Sequence, residues 1–272
     1  MLVKAGFGLG ALSRWRALHE VAVISSFIAE HGEGVAARYI EHLTVERWRQ
    51  LSDAAERANR LGEPFDDAEL SSSQADVGAL ADRHGRAFLA DYGWASDALQ
   101  AMVPPPQHRG FRAIEAAADF GHLRLGYRKA SAAIHAGPAF VLEPPDAYHF
   151  GSALLTGPTL VGIAAPVHSV AISLVQVTAA MMTSTESWAA PFVLKTMLEL
   201  ADRTGQALSA AEVAGAGVSS NCRARGQGGV TLNVKQDSIR VRADRTPRCK
   251  ARRAAGACRG VVPRAALKRW VA

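Results

Sequence analysis

The feature that most limits how this chain can fold is a spacing. In segment after segment between Leu9 and Asp202, interrupted by Gly and Pro breaks, apolar residues return mostly every three or four positions, the period of an α-helix with one buried stripe. Between Leu9 and Glu30 the stripe is Leu12, Trp15, Leu18, Val21, Val23, Ile24, Phe27 and Ile28. Gly32 and Gly34 interrupt it. A second stripe runs from Val35 through Tyr39, Ile40, Leu43, Trp48 and Leu51, and fades at Gly62 and Pro64. Asp66 and Asp67 are N-cap residues for a third helix carrying Leu70, Val77, Leu80, Phe88 and Leu89. Pro104, Pro105 and Pro106 break the pattern. Short helices are expected over Phe111–Phe120 and Leu123–His135, the latter closed by Gly137 and Pro138. Residues 136–168 read as irregular. Ser169 is then expected to cap an apolar helix, and Trp188 to Asp202 is expected to continue helical, with a kink or a new start near Pro191. No strand pattern precedes residue 228. The expected fold is all-α, a bundle of about seven helices over residues 8–203.

Residues 204–272 read as a separate, basic, largely irregular tail, with a small hairpin expected around Gln236-Asp237-Ser238. The charge divides in the same region. Residues 219–272 hold 14 Lys+Arg and 2 Asp+Glu, whereas residues 1–218 hold 17 and 23. The high isoelectric point therefore belongs to the tail, and the tail is where nucleic acid or another acidic surface would bind. Three cysteines, Cys222, Cys249 and Cys258, form neither a disulfide framework nor a zinc module, which fits a cytoplasmic setting. The N-terminus lacks the pattern of a signal peptide. Leu160 to Met182 is long enough for a membrane span, but Pro166, His168 and Gln176 favour a buried core helix, so no span is expected.

No nucleotide-binding, hydrolase or helical zinc motif occurs, so neither cofactor nor metal is expected. Two segments carry a resemblance. One is Arg16-Ala17-Leu18-His19-Glu20 with Phe27-Ile28-Ala29-Glu30-His31-Gly32. The other runs from Tyr127-Arg128-Lys129 through Ser131 to His135-Ala136. With Gly157-Pro158 and the Gly162, Pro166, His168 stretch, they resemble a bacterial domain-of-unknown-function family, number 5677, over about residues 8–190. Such domains usually carry helical sequence before the Arg-x-Leu-His-Glu helix. Here about ten residues precede it, so the chain is expected to start late; if a first helix is missing, some apolar surface is left uncovered. Arg128 and His135 also resemble the Arg-x(4–6)-His signature of HEPN-type helical domains, many of them metal-independent, dimeric RNases of toxin or defence systems. The position after the Arg, often Asn, Asp or His there, is Lys129 here.

Seven residues advance a helix by roughly 700°, so Arg128 and His135 lie on one face about 10.5 Å apart along the axis, with Ser131 between. Two antiparallel copies would bring one chain's Arg128 to the other's His135. The resemblance implies RNA as substrate, a homodimer, proton transfer by His135 and charge stabilisation by Arg128. Glu20 is expected to orient Arg128 or Arg124 through an ion pair. Two other readings stay open: a non-catalytic helical interaction module, and a truncated or frame-altered inactive member.

Overall fold

The computed structural model describes residues 2–108, 110–135, 149–150, 153–154, 162–185, 188–223, 231–235 and 238–242. The fold is all-α. Eight α-helices occur among these residues: α1 (Gly8–His31), α2 (Glu33–Leu61), α3 (Asp67–His84), α4 (Ser96–Ala101), α5 (Phe111–Ala117), α6 (Arg124–Ile134), α7 (Ala164–Ser184) and α8 (Ala190–Arg223). Short antiparallel pairs join His149–Phe150 to Ala153–Leu154 and Thr231–Lys235 to Ser238–Arg242. The expected closure of α6 at Gly137 and Pro138 lies outside the described residues.

Local signals account for some of the helix ends. The Asp66 carboxylate accepts from the backbone N–H groups of Ala68 at 2.9 Å and Glu69 at 3.4 Å, so the predicted cap of α3 is made. Three ends differ from the sequence reading. The third helix does not reach Leu89: Gly85, at φ 80°, stops it, and residues Arg86–Leu89 continue as a 3₁₀ turn. The apolar helix begins at Ala164, not Ser169. Pro166 falls in its first turn, where a missing N–H costs nothing. Finally, α8 starts at Ala190, beside Pro191, and runs past residue 203 to Arg223.

The chain forms two compact units, residues 1–22 with 124–272 and residues 23–123. In the first, α7 and α8 pack through Ile172, Val175 and Ala201, flanked by Leu194, Met197 and Leu198. The Glu212 carboxylate on α8 accepts from the backbone N–H groups of Gly162 and Ala164, which places a carboxylate at the N-terminal donors of α7. The α1 indole of Trp15 is buried and donates to the Ser173 hydroxyl on α7 at 3.1 Å. Gly126 on α6 lies so close to that indole that an added Cβ would sit 3.0 Å from it.

In the second unit Phe27, Val45, Phe88, Trp94 and Ile114 fill the core. Arg38 organises the polar side. Its guanidinium donates to the Trp94 carbonyl at 3.1 Å, meets Asp97 at 2.9 Å and contacts His84 Nδ1 at 3.0 Å. A guanidinium can only donate, so Nδ1 accepts and the ring hydrogen sits on Nε2, which donates to Glu41 at 2.6 Å. The turn after Phe88 leaves no room at Gly93, where a Cβ would lie 2.2 Å from the Phe88 carbonyl oxygen. Gly93→Ala is therefore expected to lower unfolding stability by about 2–3 kcal/mol in urea melts. A loss within the about 0.5 kcal/mol typical of surface changes would contradict this close approach.

Candidate functional site on helix six

The first motif, Arg-x-Leu-His-Glu, lies on α1, and its polar residues converge on one ring. Arg16 and Glu20 are one helical turn apart and pair at 3.0 Å. The Tyr127 hydroxyl donates to Glu20 Oε1 at 2.7 Å and accepts from Arg16 Nη2 at 3.2 Å. The Arg16 guanidinium also lies 5.2 Å from the Tyr127 ring centre, and Arg124 lies at the same distance. His19 is fully buried, with ring centres 5.4 Å from Trp15 and 5.6 Å from Tyr127. Tyr127 opens the second motif. The two segments that carry the sequence resemblance are thus in contact in space.

Glu20 does not orient Arg128 or Arg124 as expected. Among the described residues its side chain is taken by Arg16 and Tyr127. The cause is the helical step: Tyr127 faces inward, and Arg128, about 100° further round, faces solvent. Arg16 and Tyr127 are the residues that the sequence reading missed. The i, i+4 spacing of Arg16 and Glu20 was a usable signal; the Tyr127 contact, more than a hundred positions away, had none.

Arg128 and His135 are both exposed, and Ser131 is half-buried. His135 sits in the turn after Ile134, but its backbone N–H still reaches the Ser131 carbonyl at 3.0 Å, so helical spacing holds up to it. Neither side chain has a hydrogen-bond or ion-pair partner among the described residues. Between Asp119 and Glu143 the chain has no Asp or Glu, while Arg124, Arg128 and Lys129 carry positive charge. Helix α6 therefore presents cationic groups on its outer face and an aromatic, ion-paired anchor on its inner one.

Burial pushes the Tyr127 phenol up to about 12, from an ordinary value near 10. The hydrogen bond to Glu20 acts in the same direction, and Arg16 opposes it. Because the folded value lies above the unfolded one, the protonated phenol contributes its full stability below about pH 10. That contribution is lost as pH rises from about 10 to about 12. In an absorbance titration, one of the four tyrosines is expected to ionise late. That late component should vanish in Tyr127→Phe; its persistence there would contradict the assignment.

These features define a class: an all-α protein whose first helix is clamped to a cationic mid-chain helix by a buried tyrosine. More particularly, the chain belongs to DUF5677, a family of unknown function, which matches residues 1–143, more than half of the 272. The match takes in both clamped segments. It ends before Gly157-Pro158 and the Gly162 to His168 stretch, which had been read as part of the same resemblance. No curated protein and no solved structure matches the chain.

Proposed function

We propose that the chain is a metal-independent endoribonuclease of HEPN-like type, acting through Arg128 and His135 on the outer face of α6. The observation that carries this reading is their shared exposure. Both project from one helical face without competing partners among the described residues, in a stretch free of carboxylates. A phosphodiester is the ligand such a face favours, because no carboxylate lies in this stretch of sequence to repel it and an arginine can bind two of its oxygens.

In the reaction His135 takes the proton of a ribose 2′-hydroxyl. The oxygen attacks the adjacent phosphorus, a bond from O2′ to phosphorus forms, and the bond to O5′ breaks. The products are a 2′,3′-cyclic phosphate and a 5′-hydroxyl, the latter protonated by solvent or by the second histidine of a dimer. Arg128 stabilises the charge that gathers on the phosphoryl oxygens. A side chain leans toward its helix N-terminus, so one chain's Arg128 leans away from its own His135. Two antiparallel copies complete the site, with Ser131 between the pair. Glu20 serves this reading only at a distance, by fixing Tyr127 and so the orientation of α6.

Purified protein incubated with mixed RNA in EDTA is expected to leave 2′,3′-cyclic phosphate ends. His135→Ala and Arg128→Ala, both at exposed positions, are expected to slow cleavage on the order of a hundredfold or more with an unchanged circular dichroism spectrum. Undiminished cleavage by His135→Ala would remove the proposal and leave α6 as an anchored surface helix.

A further inference from the structure

We propose that the tip of the α7–α8 hairpin seats in the interfacial layer of an anionic lipid bilayer, drawn there by the basic residues of 219–272. The sequence led us to expect a buried core helix over this region. Instead, α7 is long and apolar enough to cross a membrane by length and composition, yet only 28% of that stretch is buried. The exposed apolar residues gather where the two helices meet. Met181 is 64% exposed, Trp188 85% and Phe192 69%. Val193 follows on α8, and Leu174 extends the face back along α7. From Ala164 to Leu194 the only Asp, Glu, Lys or Arg is Glu186. A solvent-exposed face with so few charges and a projecting indole matches the headgroup boundary, where a tryptophan places its ring in the apolar layer and its N–H in water.

Insertion is shallow because both helices are held from the protein side. Ser173 on α7 is buried and hydrogen-bonded to Trp15, and α8 carries Lys195, Glu199, Asp202 and Arg203. Neither helix is free to cross. An apolar tip alone binds a bilayer weakly, and stable attachment takes a second signal. The tail supplies it, with 14 Lys+Arg against 2 Asp+Glu, a charge complementary to anionic headgroups. This inference is independent of the ribonuclease reading, since it uses neither Arg128 nor His135.

The test is flotation of the full chain with large unilamellar vesicles of phosphatidylcholine alone, or of phosphatidylcholine with phosphatidylglycerol. The protein is expected to float only with the anionic vesicles. Trp188→Ser with Phe192→Ser is expected to lower partitioning by more than about tenfold, at unchanged circular dichroism. The milder Met181→Gln should lower it in the same direction. Replacing Arg252, Arg253, Arg264, Lys268 and Arg269 with Gln should also lower it by more than about tenfold, as should high salt. No flotation, or flotation unaffected by the tip variants, would overturn the proposal. So would conversion of a dimer to a monomer by the tip variants without any vesicle binding, which would give the face to a second copy. Loss of RNA binding but not of vesicle binding in the tail variant would equally overturn it.

Discussion

The Tyr127 hydroxyl donates to Glu20 and accepts from Arg16, and this exchange decides what α6 shows to solvent. A buried phenol without partners would be costly, and a half-buried carboxylate beside an arginine gains from a third hydrogen bond. With Tyr127 turned inward, successive 100° steps put Arg128 and Lys129 outside. The Trp15 indole under Gly126 sets how near α6 approaches α1, because a Cβ at 126 would sit 3.0 Å from it and require the indole to shift. The same indole holds α7 through Ser173. One face of α1 thus positions both the cationic helix and the apolar hairpin.

Family membership gains physical content from this arrangement. The match covers residues 1–143, and within it lie both partners of the clamp, Arg16 with Glu20 and Tyr127. His19 adds a fully buried imidazole between two aromatic rings. The Arg-x-Leu-His-Glu segment thereby has a structural use that needs no substrate. The chemistry proposed above uses the outward residues of α6, so the packing that holds the helix and the groups proposed to react are separate side chains.

Helix existence was readable from apolar spacing, and capping chemistry at Asp66 gave the start of α3. Ends set by backbone geometry were harder. Gly85 terminates α3 although apolar residues continue at Phe88 and Leu89, so periodicity alone overran the stop. The irregular reading ran to residue 168, yet Pro166 sits in the first helical turn, which tolerates it. The Glu20 partner was misread because an ion pair predicted from composition favours the nearest arginine of interest, whereas the fold supplied an arginine on its own helix and a distant phenol. Long-range contacts of this kind leave no period in the sequence. The exposed tip of α7 and α8 was also hidden, since an apolar run reads the same whether protein covers it or not.

The clamp itself is most directly tested by a double-mutant cycle in urea unfolding, using Glu20→Ala, Tyr127→Phe and the combined variant. A hydrogen bond between a buried hydroxyl and a carboxylate should appear as a coupling of about 1.5–3 kcal/mol, with each single change destabilising. Additive effects within about 0.3 kcal/mol would contradict it and separate α6 from the motif on α1.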